Sequence, residues 1–230
     1  MNKTNKRRGG FYFLNDRPYV SVTTVLEIID KPALRWWFGQ QVYLAMLKNP
    51  SLSQKEALSA PYRTSDKAKN RGTTVHSIVE AYKKGVFDID KKVIADYSGY
   101  AKAFKKWVKE TNAKVLDNER SVVSEKYKYA GTLDLLAVLN GNKIPTIVDI
   151  KTGKDIYPEA FLQLSAYKQA LVENKGIDEA CDISVLLLKE DGTYKYEVGH
   201  YDFEAFLACK KIWENKYRKT LLKIGYLKED

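Results

Sequence analysis

A mixed α/β fold, with a central β-sheet flanked by helices and a helical annex at the amino-terminal end, is predicted by three observations. First, three β-rich runs follow one another as KVLDNERSVVSEKYKY, GTLDLLAVLN and IPTIVDIK, and their β-branched, apolar content reads as successive strands. Second, segments with apolar residues at helical spacing stand before and after those runs. Third, CDISVLLLKE and TYKYEVGHY, joined at Asp191-Gly192, add two more strands before a terminal helix that starts near Asp202. At 230 residues, 44% hydrophobic and 30% charged, the chain can bury one good core. The expected division is an annex over 1–70 and a core over 71–230, together one compact unit.

The elements follow in order. FYFLNDRPYVSV reads as a hairpin turning at Asn15-Asp16, and a helix from about Thr23 to Asp30 has a capping box in Thr24-x-x-Glu27. Pro32 opens a second helix that ends near Asn49-Pro50. Ser53-x-x-Glu56 marks a third, short one. In RGTTVHSIVEAYKKG, Val75, Ile78, Val79 and Tyr82 keep helical spacing, Thr73 or Thr74 can cap the start and Gly85 can end it. A long helix over IADYSGYAKAFKKWVKET leads into the strands. After them, EAFLQLSAYKQALVEN carries an apolar stripe of Phe161, Leu164, Tyr167, Ala170 and Leu171. No internal repeat or low-complexity linker is found.

Thirty-nine basic against twenty-nine acidic residues give a net charge of +10, which suits a polyanionic partner. Membrane-surface proteins share such a balance, but no apolar run reaches the roughly 18 residues of a membrane span and no signal-peptide pattern follows MNKTNKRRGG. The expectation is a soluble, intracellular protein with no membrane partner. Cys181 and Cys209 lack zinc or redox-pair spacing and read as small core residues in a reducing compartment. No Walker A sequence is present, so ATP-driven unwinding would need another chain, such as a helicase.

Gly131-Thr132-Leu133-Asp134 and, fifteen residues beyond Asp134, Asp149-Ile150-Lys151-Thr152-Gly153 carry the chemistry. The two strands form a hairpin turning at Gly141-Asn142, which sets Asp134 and Asp149 at adjacent strand ends. Alternation points Asp149 and Lys151 to one face and Ile150 into the core. A hard divalent ion takes oxygen ligands and keeps several waters, so two carboxylates and a substrate phosphate suffice to hold it. Such an ion acidifies its water, while a nearby ammonium orients the nucleophile or offsets charge developing on phosphorus. The bland alternative is a solvated, ion-paired patch on a hairpin.

With Arg71-Gly72-Thr73-x-x-His76 before them and Gln163-x-x-x-Tyr167 after, these motifs resemble the PD-(D/E)XK nuclease superfamily in its RecB-like exonuclease branch, the kind found in phage and mitochondrial genome-maintenance single-strand exonucleases. The likeness covers about residues 70–170. It implies a restriction-endonuclease-like core, with metal bound by His76, Asp134, Asp149 and the Ile150 carbonyl, and with Lys151 supporting the attacking water. It also implies that Gln163 and Tyr167 position the metal site and the DNA strand. Iron-sulfur members of the branch need four cysteines, and two cannot hold such a cluster in one chain.

His76 and Glu80 are i,i+4 neighbours, two ligands or a ligand and its supporting partner. Arg71 and Thr132 flank the motifs as further positioning candidates. Either Glu119 or Glu125 could add a carboxylate from the preceding strand, depending on register. Tyr167 reads equally as core, and His200 as an ordinary surface histidine. Aromatics interleaved with bases, as in Arg35-Trp36-Trp37 and Lys105-Lys106-Trp107, can stack on bases, but Trp36, Trp37, Phe38 and Trp107 on amphipathic helices are more often core. By the same resemblance, the basic segment from Leu34 to Arg71 would form an arch or wall over the site.

The expected activity is a Mg²⁺-dependent deoxyribonuclease, with Mn²⁺ as substitute. It would act as an exonuclease on single-stranded or frayed DNA ends in replication, recombination or repair, with a phage as one candidate source. A structure-dependent endonuclease of the same fold and a catalytically silent nucleic-acid-binding module are the alternatives.

Overall fold

Asn15 and Asp16 both take positive φ, 48° and 61°, as a tight two-residue hairpin turn requires. They join β2 (Phe11–Leu14) to β3 (Arg17–Ser21), and β1 (Asn5–Arg8) pairs antiparallel with β2. The computed structural model describes residues 5–84, 95–174 and 181–228. The amino-terminal hairpin belongs to the central sheet, because β3 runs parallel to β5 (Tyr129–Val138) at Val20 opposite Tyr129.

Among the described residues the sheet has eight strands. Its order is β1, β2, β3, β5, β6 (Pro145–Lys151), β7 (Asp182–Leu188), β8 (Tyr194–Val198), with β4 (Lys114–Ser124) also paired to β5. β3 with β5 and β6 with β7 are parallel, the other pairs antiparallel, so the sheet is mixed, as the strand pattern predicts.

Helices cover both faces. On one, α1 (Val22–Leu26), α5 (Glu159–Glu173), α6 (Phe203–Lys216) and α7 (Arg218–Lys223) enclose a core with Val20, Tyr129, Leu133, Ile147, Leu164, Phe206 and Trp213. On the other, α4 (Ser98–Glu110) buries Tyr100, Ala103, Phe104 and Trp107, the i, i+3, i+4, i+7 stripe of an amphipathic helix. Val75 and Val79 join them against Leu135, Val148 and Ile150. Asp202 caps α6 by accepting from the Ala205 N–H at 2.9 Å.

Three local expectations give way. α1 starts at Val22 and ends at Leu26, with Ser21 at the N-cap position making no capping bond, its hydroxyl 2.9 Å from Thr23 Oγ1; burial of Val22, Val25 and Leu26 draws Thr24 into the helix and dissolves the box with Glu27. The Ser53 box does form, with Glu56 Oε2 accepting from Ser53 N at 2.9 Å and from Ser53 Oγ at 2.6 Å. It opens no short helix, however. α3 runs unbroken over Gln54–Lys84, through Pro61 and Gly72. Thr73 and Thr74 therefore do not cap; their hydroxyls donate back to the carbonyls of Lys69 and Asn70. The expected helix end at Gly85 and the lead-in to α4 before Ala95 lie outside the described residues.

α2 (Pro32–Lys48) and the first half of α3 pack on each other through Phe38, whose ring meets Trp37 and Tyr62 edge-on at 5.3 and 5.4 Å. This pair forms an arm. Its roots flank the carboxyl end of β6: Lys31, just before α2, pairs with Glu159 at the start of α5 at 2.9 Å, and the last turns of α3 lie on Ile150.

Candidate metal and phosphodiester site

β5 explains why the acids meet. β4 lines one whole edge of it, from Ser124 opposite Tyr129 to Lys114 opposite Val138. The other edge is divided: β3 takes Tyr129 and Ala130, and β6 takes Leu135 to Val138. Gly131 to Asp134 fall in the window between, where β3 and β6 diverge. One step beyond Leu135 opposite Val148 sets Asp134 across from Asp149. On the β4 side, Asn118 opposite Leu135 and Arg120 opposite Leu133 set Glu119 across from Asp134. Three carboxylates thus stand abreast on three neighbouring strands.

Each acid has a different environment. Asp134 Oδ2 accepts from the Ile150 N–H at 2.7 Å, replacing a ladder bond where the strands part. Asp149 is 2% exposed and held at both oxygens, Oδ1 by Gln163 Nε2 at 2.8 Å and Oδ2 by Lys151 Nζ at 2.7 Å. Glu119 is exposed and faces His76. Val75 and Val79, packed on the sheet, fix the rotation of α3 and bring His76 over Ile150. Its Nε2 lies 3.1 Å from the Ile150 carbonyl, and its Nδ1 lies 3.4 Å from Asp134 Oδ1 and 3.6 Å from Glu119 Oε1.

The electrostatics follow from this crowding. Burial raises the Asp134 carboxyl well above the usual range and the Asp149 charge adds to it, against His76, Lys151 and the Ile150 N–H. Burial opposes charge on His76, yet the bond to Glu119 and the charges of Asp134, Glu119 and Asp149 outweigh it and push the imidazole up to about 9. Lys151 likewise is raised, its burial outweighed by Asp149 and Asp134. Proton and ammonium here offset negative charge that a divalent cation could neutralise. The donors, an imidazole nitrogen with carboxylate and carbonyl oxygens, fit Mg²⁺ or Mn²⁺. His76, Glu119 and Asp134 offer ligand atoms all within 4.8 Å of one another.

Of the residues expected at the site, His76, Glu80, Asp134, Asp149, Ile150, Lys151 and Gln163 come together; Glu80 lines the cleft with Val79 and Asn118. Tyr167, buried, lies with its ring against Gly131, where an added Cβ would come within 2.3 Å of Cε1. It is core and site neighbour at once, its hydroxyl raised by burial and then by Asp134 and Asp149. Thr132 is half-buried two residues before Asp134 and opposite Ser121. Arg71 faces Tyr100 of α4, where its charge is felt. Glu125 is exposed in the β4–β5 turn beside Tyr19, away from the acids. Register therefore selects Glu119. The sequence carries a trace of this: Asp117-Asn118-Glu119-Arg120 interrupts the alternation of the strand. Lys31–Glu159, which ties the arm to the site, has no such trace.

No family model matches the chain, and no curated protein matches it. Among solved structures, an alkaline exonuclease (LHK-Exo) from Laribacter hongkongensis is similar at 11% identity over 90% of each chain, with a TM-score of 0.45. The same exonuclease in complex with dAMP is similar at 14% identity over 68% of this chain and 82% of that one, TM-score 0.38. An exonuclease candidate from Eubacterium rectale is similar at 12% identity over 92% and 83%, TM-score 0.34. These likenesses are distant.

Proposed function

We propose that the protein is a metal-dependent deoxyribonuclease, an exonuclease that hydrolyses phosphodiester bonds at single-stranded or frayed DNA ends. The observation that carries this reading is the row Glu119, Asp134, Asp149 across β4, β5 and β6, with His76 above it and Lys151 paired to Asp149. Carboxylates with an imidazole, a carbonyl and an ammonium are what metal-assisted phosphodiester hydrolysis needs.

His76, Asp134, Asp149 and the Ile150 carbonyl would hold the ion, with Mg²⁺ the expected occupant and Mn²⁺ its substitute. A bound ion would supply charge to polarise the phosphoryl group and acidify the attacking water. The protein's own residues do the rest. Gln163 fixes the rotamer of Asp149, and Lys151, raised and therefore cationic, donates to the nucleophile or to the phosphate oxygens. The arm beside the site carries the exposed bases Arg35, Lys48, Lys55, Arg63, Lys67 and Lys69 and the exposed rings of Trp36, Tyr43 and Tyr62. That mixture suits a single strand, with phosphates on the bases and nucleobases on the rings. No helix among the described residues is long and apolar enough to cross a membrane.

The test is digestion of end-labelled linear and covalently circular single-stranded DNA with Mg²⁺, Mn²⁺ or EDTA, beside Lys151→Ala. Metal-dependent loss of linear strands alone, absent in the variant, is expected. Cutting of circles would make the enzyme an endonuclease, and tight binding without cleavage in any metal would make it a binding module.

A further inference from the structure

We infer that Glu119 is a ligand of the divalent cation at this site, supplied by β4 from outside the hairpin that carries Asp134 and Asp149. The inference rests on the metal-dependent reading above and adds a residue to it.

Three independent features converge on Glu119. Its position in the β4–β5 register is across from Asp134, so the two carboxylates are neighbours by construction rather than by rotamer choice. Its ligand oxygen falls with the His76 imidazole nitrogen and the Asp134 carboxylate oxygen inside a 4.8 Å span, close enough for one ion to touch all three. Its φ is +47°, a left-handed conformation that a glutamate rarely adopts. This occurs in the middle of a strand, between the paired residues Asn118 and Arg120, where neither a turn nor a helix end calls for it.

The division of labour among the acids points the same way. Asp149, almost wholly buried, has one oxygen on Gln163 and the other on Lys151. Asp134 spends Oδ2 on the Ile150 N–H and turns Oδ1 toward His76. Glu119 is the most open of the three, with 40% of its side chain exposed, and it lines the cleft together with His76, Asp134 and Ile150. A cation entering from solvent meets Glu119 first. With Glu119, the ion is bracketed by β4 and α3 as well as by the central hairpin, where Asp149 also holds Lys151.

The experiment is calorimetric titration of Mn²⁺ into the nucleic-acid-free protein, with melting temperatures with and without Mn²⁺, for wild type, Glu119→Gln and Glu197→Gln. Glu197, an exposed residue of β8 paired with Lys195, is the control. Expected is wild-type-like binding in Glu197→Gln and a loss in Glu119→Gln of at least the roughly 10- to 100-fold that follows loss of even an outer partner of a metal site, with a correspondingly smaller Mn²⁺-induced rise in melting temperature. Undiminished affinity in Glu119→Gln would overturn the role of Glu119 alone. Absence of binding in the wild type would overturn the metal-dependent reading itself, and Glu119 with it.

Discussion

Trp107 and Trp36 both sit on helices next to lysine or arginine, and their fates are opposite. Trp107 is wholly buried between α4 and the sheet, stacked 5.8 Å from Phe104; Trp36 is 67% exposed on α2, a helix that buries none of its residues. The difference lies in the pattern around them. α4 gathers its apolar residues into one stripe, whereas α2 spreads Leu34, Trp36, Tyr43, Leu44 and Leu47 around its surface, more than its neighbour α3 covers. The sheet and its helices hold the proposed metal-binding groups by burial; the arm, tied down at Lys31 and at the base of α3, offers exposed rings and charge. On the proposed function, stability and recognition fall to different parts of one chain.

The largest expected effect lies at the sheet. Lys151→Ala should lower cleavage about 10²- to 10⁴-fold, and because it strips a buried carboxylate of its partner it should also lower the melting temperature of the metal-free protein. The double variant Lys151→Ala, Asp149→Asn removes that orphaned charge and should recover melting temperature without recovering cleavage. Wild-type rates in Lys151→Ala would place the chemistry elsewhere.

Next come the two tryptophans. Trp107→Ala should cost about 3–5 kcal/mol in urea denaturation, and Trp36→Ala about 0.5 kcal/mol or less. In single-strand DNA affinity the order should reverse, with Trp36→Ala losing about 1–3 kcal/mol by fluorescence anisotropy. Equal stability losses would show that the arm is part of the core after all. Gly131→Ala belongs between them: its methyl group would be driven into Tyr167, an overpacking that should cost about 1–3 kcal/mol on melting.

The sequence made the central strands legible because β-branched runs and turn residues act locally, and it made the Asp149–Lys151 pairing legible because strand alternation has period two. It could not give the window in β5, which depends on β3, more than a hundred residues earlier in the chain, pairing with one end of an edge whose other end belongs to β6. The choice between Glu119 and Glu125 was hidden for the same reason: a carboxylate's neighbour across a sheet is set by register, and that register is anchored where Ser124 falls opposite Tyr129. The unbroken α3 was hidden differently. Gly72 and two threonines look like a helix start, but the helix arriving from Ser53 supplies the hydrogen-bond acceptors that a cap would otherwise replace, and Thr73 and Thr74 turn back onto it.

The smallest effect concerns protons, and it centres on His76, the proposed metal ligand carried by the helix that also builds the arm. Without metal, the native imidazole titrates near 9 against an ordinary 6.5. Between these values the folded protein holds more protons than the unfolded chain, so the stability contributed by charged His76 is complete below pH 6.5 and is lost as pH rises through 9. Asp134, also raised, acts in the same direction at lower pH, since its native carboxyl keeps a proton the unfolded chain has released. A divalent cation must displace these protons. Mn²⁺ affinity should therefore climb with pH from 6.5 toward 9 in calorimetric titrations, by up to about tenfold per unit for each proton displaced, while the melting temperature of the metal-free protein falls. His76→Ala should flatten the climb. A wild-type affinity that ignores pH over this range would put His76 outside the ion's shell and leave the cation to the sheet alone.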